Sequence, residues 1–307
     1  MRIIFFGTPE FALPSLHALL QSGEEVVAVV TQPDKKKGRK SVSLPPPVKE
    51  LAVGKGLNVL QPVNIKDQVF TDELRSMNPE IIIVVAYGKI LPLKILQLPL
   101  HGCINLHASL LPKYRGAAPI QWAIINGEKI TGNTTMLMDE GLDTGDILLQ
   151  EEIELSCDDS AETLSKKLAE SGASLLIKTI AKIKDRSITP IPQTGTPSYA
   201  PFLRKKDGKI VWTKTSQEIF NFVRGMYPWP GAYCYLEKER IKITRVKVLE
   251  GSGKAGRIEK AGKELIVGTG EGLLSVIELQ PEGKKPMTAN AFLQGRRVKE
   301  GTFFDEP

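Results

Sequence analysis

Residues 81–85, Ile81-Ile82-Ile83-Val84-Val85, are an unbroken run of β-branched side chains, bracketed by Asn78-Pro79 before and Tyr87-Gly88 after. A strand with one wet face alternates apolar and polar residues, and this one has no polar face at all. It has to be covered on both sides, which a parallel sheet achieves by carrying crossover helices above and below. The flanking pattern agrees. Arg2–Phe6, Glu25–Thr31, Leu57–Leu60 and Cys103–His107 read as further strands. Pro9–Leu20 (with Gly23 just beyond its end), Val48–Lys55 and Asp67–Met77 read as helices. The predicted fold is therefore α/β, Rossmann-like, with a mostly parallel sheet and helices on both faces. The first turn, Gly7-Thr8-Pro9-Glu10-Phe11-Ala12, lacks the second and third glycines of a dinucleotide fingerprint, so no nicotinamide cofactor is expected.

A chain of 307 residues suits two domains rather than one core. The pattern after the long helical stretch following Asp159-Ser160-Ala161-Glu162 predicts a catalytic domain over 1–188 and a Pro/Thr-rich, semi-rigid linker over 189–206. Residues 207–307 then form a second domain. There the grammar changes to one helix, capped by Thr215-Ser216-Gln217-Glu218, and short strands at Tyr233–Leu236, Ile241–Leu249, Ala255–Glu259, Glu264–Gly268 and Leu273–Leu279. That spacing predicts a small OB-like β-barrel. Trp229 and Phe292 are expected in its core. Charge divides the chain in the same place: from Arg204 onward 20 Lys/Arg stand against 13 Asp/Glu, whereas residues 1–203 carry 21 against 22. A basic surplus confined to a small barrel points to nucleic acid. Three scattered cysteines without a Cys-x-x-Cys pair imply neither a disulfide framework nor structural zinc, and a cytoplasmic setting. Gly7 interrupts Ile3–Phe6 before a leader could form, and no apolar run is long enough to span a bilayer.

Two loops carry the chemistry. Asn105 and His107 end the strand Cys103–His107, and Gly141-Leu142-Asp143-Thr144-Gly145 supplies a carboxylate between glycines. Ligands bind at the strand ends of open α/β sheets. None of the three side chains is a strong nucleophile there, and no Ser or Cys has an obvious activating partner. The set suits acyl transfer without a covalent enzyme intermediate. Asn105 would donate to an oxyanion, His107 would stabilise charge or shuttle a proton, and Asp143 would orient His107. The three groups lack a metal-ligand pattern, so no metal is expected. A separate run, Lys35-Lys36-Lys37-Gly38-Arg39-Lys40, places five cations in six positions of a loop after the second strand. It reads as an arm closing on phosphates, with Arg39 capable of bidentate contacts.

Asn105-x-His107, Ser109-Leu110-Leu111-Pro112, Arg115-Gly116 and Gly141–Gly145 together resemble the signature of the folate-dependent formyltransferases. The C-terminal third, with Pro228-Trp229-Pro230-Gly231-Ala232 and Pro286-Met287-Thr288, is similar to members of that family that act on tRNA. The resemblance implies a 10-formyltetrahydrofolate donor, initiator methionyl-tRNA as acceptor, and a monomer without membrane partners. It implies catalytic roles for Asn105, His107 and Asp143. Ser109, Leu110, Leu111 and Pro112 would lie at the folate site, with Tyr87, Gly88 and Ile90 walling the pterin pocket. The loop bearing Lys35, Lys36, Lys37, Arg39 and Lys40 would reach the acceptor stem. Relatives formylating an amino sugar or glycinamide ribonucleotide share the core, and a non-catalytic nucleic-acid-binding protein on the same scaffold is the competing class.

Overall fold

The computed structural model describes residues 1–37 and 42–305. Along the chain run β1 (Arg2–Gly7), α1 (Leu13–Gln21), β2 (Glu25–Val30), β3 (Lys35–Lys37), β4 (Val42–Leu44), α2 (Pro47–Gly54), β5 (Val59–Leu60) and α3 (Gln68–Ser76). Then come β6 (Ile81–Val85), α4 (Leu93–Leu96), β7 (Cys103–His107), α5 (Pro119–Ile125), β8 (Ile130–Leu137), β9 (Ile147–Glu154) and α6 (Ala161–Lys184). The principal sheet has the order β5-β2-β1-β6-β7-β8-β9. Its first four pairings are parallel, and the β7–β8 and β8–β9 pairings are antiparallel.

The β-branched run is the centre of this sheet, as its composition demands. Ile81, Ile83 and Val85 pack with Leu16, Leu19, Ala52 and Leu176 on one face. Ile82 and Val84 pack with Phe70, Leu74 and Ile95 on the other. Each fully buried side chain of this kind stabilises the fold by about 1.5–3 kcal/mol. Gly23 (φ +78°) ends α1 as expected, and Asp67 caps α3 by accepting from Val69 N at 3.1 Å. Among the described residues no helix is long and apolar enough to cross a membrane.

Two expectations change here. The basic stretch begins as a strand, not a loop: Lys35–Lys37 pairs antiparallel with Val42–Leu44, Lys35 lying opposite Leu44. Arg39 and Lys40 lie outside the described residues. The compact units are also discontinuous in sequence. One comprises Met1–Pro119, Ile130–Glu154 and Ser165–Ala200; the other comprises Ile120–Lys129, Leu155–Leu164 and Pro201–Pro307. Residues 189–200, two thirds of the segment read as a linker, therefore belong to the first unit. Ile191 exchanges two hydrogen bonds with Ile147, and Ala200 N donates to Arg115 O at 2.8 Å.

In the second unit, α7 (Ser216–Met226) precedes β10 (Tyr233–Leu236), β11 (Glu239–Leu249), β12 (Ile258–Ala261), β13 (Leu265–Gly268), β14 (Leu273–Pro281), β15 (Met287–Thr288) and α8 (Ala289–Gly295). The antiparallel order is β10-β11-β14-β13-β12, with β15 added to β14, a curled sheet of the OB-like kind. The strand expected at Ala255–Glu259 falls later, at Ile258–Ala261, because Gly256 adopts φ +78°. Phe292 is buried, but Trp229 is 45% exposed. It sits between two prolines in the turn after α7, not on a strand, and its ring packs against Phe202 at 5.8 Å.

Thr215 and Glu218 form a reciprocal cap at the start of α7. Hydrogen bonds from Lys214 and from the backbone and hydroxyl of Thr215 hold the Glu218 carboxyl down to about 2, from an ordinary 4.5. The unfolded chain binds this proton more readily, so the cap's contribution is complete above about pH 4.5 and disappears as pH falls towards 2. In acid unfolding, wild type and Glu218→Gln should differ at pH 5 and converge near pH 2. A difference that persists unchanged to pH 2 would contradict this role.

Candidate active site

β7 delivers two of the three polar groups. A strand alternates its side chains, so Ile104 and Leu106 enter the core while Asn105 and His107 share the opposite face. His107 pairs in register with Thr134 of β8, and Asn105 with Met136. The third group, Asp143, comes from the β8–β9 turn, where its φ of +52° lies in the left-handed region.

The three converge. Asn105 Nδ2 lies 3.5 Å from Asp143 Oδ1, and His107 Nδ1 lies 3.7 Å from Asp143 Oδ2. The second distance is too long for a direct hydrogen bond. His107 is only 6% exposed, and its Nε2 is 3.0 Å from Tyr114 O. A carbonyl can only accept, so Nε2 carries the proton and the Nδ1 edge faces the carboxylate. Asp143 is itself held, because Gly116 N donates to its Oδ2 at 2.8 Å. Gly116 (φ +124°) fits only as glycine: a Cβ there would stand 2.7 Å from Ala200 O.

The Ser109–Pro112 segment is pinned from β8 and β9. Thr134 Oγ1 donates to Ser109 O at 2.6 Å and accepts from Leu111 N at 3.2 Å and from Gln150 Nε2 at 2.9 Å. Gln150 Nε2 also reaches Leu111 O at 2.9 Å, and the Ser109 hydroxyl donates to Lys113 O. With those polar groups engaged and Ser109 and Leu111 buried, the partly exposed surfaces of this segment are Leu110 and Pro112. Thr134→Val keeps the shape and removes the hydroxyl, leaving buried groups unpaired at about 1–3 kcal/mol. It should raise the KM for a ligand held by this loop several-fold while kcat at saturation stays near wild type. Unchanged KM would contradict the assignment.

The three residues expected to wall a pterin pocket differ in exposure. Gly88 (φ +78°) turns the chain, and Gln32 Nε2 reaches Tyr87 O at 2.7 Å. The Tyr87 ring, however, is 2% exposed and stacks edge-on against Phe6 in the core. Burial pushes its hydroxyl up to about 12. Ile90 projects outward, 71% exposed. Large aromatic side chains beside a central strand are drawn into its core, which the reading of a local turn does not capture. Lys35 is exposed at the start of its hairpin. Among the described residues no cluster of His, Cys, Asp and Glu could hold a metal ion.

Several supporting residues escaped sequence reasoning: Thr134, Gln150, Gln193 and Ser198, whose Oγ accepts from Tyr114 N at 2.9 Å. A signal existed for Thr134. The run Thr131-Gly132-Asn133-Thr134-Thr135 is polar where a buried strand should be apolar, and each polar side chain there is buried. Two cavities, of about 840 and 790 Å³, belong to the C-terminal unit rather than to this cluster, which sits at an open strand end. The second is bordered by Arg224, Arg245 and Lys247, by the carboxylates of Asp158 and Glu278, and by Phe220 and Tyr227.

Residues 1–180 match the model of the formyl transferase family, and residues 203–297 match that of the formyl transferase C-terminal domain. Over 299 residues the chain is 61% identical to a methionyl-tRNA formyltransferase from Thermodesulfovibrio yellowstonii, covering 97% of both proteins. The chain belongs to the methionyl-tRNA formyltransferase family. Solved structures agree on the fold. A methionyl-tRNA formyltransferase from Clostridium thermocellum superposes with TM-score 0.57 at 19% identity, over 81% of this chain and 94% of that one. HypX from Aquifex aeolicus, solved in complex with tetrahydrofolic acid, superposes with TM-score 0.67 at 16% identity. The match takes in 99% of this chain, which spans about half (51%) of that longer protein. The expected Rossmann-like domain with an OB-like partner is thus the architecture of the methionyl-tRNA formyltransferases.

Proposed function

We propose that this protein transfers the formyl group of 10-formyltetrahydrofolate to the α-amine of initiator methionyl-tRNA, through direct attack and an oxyanion-stabilised tetrahedral intermediate. The convergence of Asn105, His107 and Asp143 at the open end of β7, in a chain of this family, carries the reading. Residues 1–188 do the chemistry and 207–307 grip tRNA. The protein acts as a monomer in the cytoplasm.

The geometry supports the following steps. The neutral amine attacks the formyl carbon, a carbon–nitrogen bond forms, and the carbonyl oxygen gains the negative charge. Asn105 Nδ2, on the partly exposed side of β7, donates to that oxygen. Such a donor is typically worth about 3–4 kcal/mol of barrier. The amine loses a proton as it bonds, and His107 Nδ1, the ring nitrogen that faces Asp143, takes it up. As the bond to the folate nitrogen breaks, that proton completes the departing amine. Leu110 and Pro112 offer the donor an apolar rest, while Thr134 and Gln150 keep the loop in place.

Direct transfer requires both substrates on the protein at once. Initial-rate lines obtained by varying donor and methionyl-tRNA should intersect. Parallel lines, with formyl label trapped on the protein after mixing with donor alone, would overturn the mechanism.

A further inference from the structure

Gln193 stands in the stretch that reads as a linker, yet its amide makes four hydrogen bonds. Both N–H bonds point at backbone carbonyls of the Asp143 turn, reaching Asp143 O at 2.9 Å and Gly145 O at 2.8 Å. Its Oε1 accepts from Arg115 Nε at 3.1 Å and Arg115 Nη2 at 2.6 Å. Arg115 immediately precedes Gly116, whose N–H holds the Asp143 carboxylate. One side chain therefore ties together the two turns that fix Asp143, one through its backbone and one through its carboxylate. Asp143 needs such a tie, because a φ of +52° is uncommon for a residue with a side chain and persists where the surroundings enforce it.

We infer that Gln193, braced by Arg115, is a positioning residue for formyl transfer: it sets the Asp143 turn so that the carboxylate faces Asn105 and His107. The inference rests on the reading that Asp143 serves the reaction. Only a carboxamide meets the requirement, since two donors and one doubly accepting oxygen must come from one planar group. Loss of the clamp moves Asp143 without touching either substrate. A displacement of about 1 Å in such a site costs about 10²-fold in rate.

The test uses the full-length protein with 10-formyltetrahydrofolate and methionyl-tRNA. Gln193→Ala should lower kcat by about 10- to 100-fold, with both KM values within about threefold of wild type. Gln193→Ala introduced into an Asp143→Ala protein should lower kcat little further, because the clamp then has nothing to position. Additive losses, or a Gln193→Ala protein with wild-type kcat while Asp143→Ala is impaired, would overturn the inference. A harmless Asp143→Ala would overturn the catalytic reading itself and the inference with it. Should Gln193→Ala not fold, Gln193→Glu serves. Its carboxylate keeps Arg115 but faces two carbonyls with no donor, so its kcat relative to wild type should rise as pH falls and the carboxyl regains a proton. A flat ratio across pH would overturn the inference as well.

Discussion

Asn105→Ala should lower kcat for formyl transfer about 10²- to 10³-fold and leave the donor's KM within about threefold of wild type. The expected split follows from where charge develops. The amide of Asn105 donates to the formyl oxygen only weakly in the ground state and strongly once that oxygen is anionic, so its loss falls on the transition state. His107→Ala should show the same split if the imidazole, facing Asp143 at 3.7 Å, serves the reacting atoms rather than gripping either substrate. Its Nε2 is already engaged by Tyr114 O, so removing the ring also frees the Tyr114 turn, and a modest loss of thermal stability should accompany the kinetic one. If donor affinity collapsed while turnover at saturation survived, both residues would be binding groups.

The second large effect concerns the basic stretch Lys35–Lys40. Alanine at Lys35, Lys36, Lys37, Arg39 and Lys40 together should weaken tRNA binding and flatten its dependence on salt. For every phosphate that the variant no longer neutralises, the slope of log affinity against log salt should fall by roughly one. Arg39→Lys keeps the charge but loses the planar fork, so it should weaken binding at a phosphate clamp or a stacked base more than charge alone explains. The donor's KM should not move, since the groups assigned to it lie on the turns after β6 and β7. A fivefold alanine variant that binds and formylates methionyl-tRNA as wild type does across a salt titration would remove this stretch from the interface.

What could be read from the chain alone follows a physical line. The parallel sheet was legible because Ile81–Val85 has no polar face, and Asn105 and His107 were legible because a strand's period places them together at its end. Asp143 was found from its glycine flanks. Long-range partnerships were not legible. Nothing local to Gln193 or Ser198 says that a Pro/Thr-rich stretch will lie against Arg115 and Tyr114, about eighty residues earlier in the chain. The misplacement of Trp229 has a similar origin. Composition makes a tryptophan look like core, whereas its exposure is decided by where the turn after α7 directs it.

One measurement addresses the donor, the acceptor and the three side chains together. The protein is mixed with formyl-labelled 10-formyltetrahydrofolate and, separately, methionyl-tRNA, other aminoacyl-tRNAs, an amino-sugar nucleotide and glycinamide ribonucleotide. Asn105→Ala runs in parallel. Label should appear on the α-amine of methionyl-tRNA with wild type, about 10²-fold more slowly or worse with the variant, and on none of the small acceptors. Label on a sugar or on glycinamide ribonucleotide in preference to methionyl-tRNA, or equal rates for wild type and Asn105→Ala, would contradict the account.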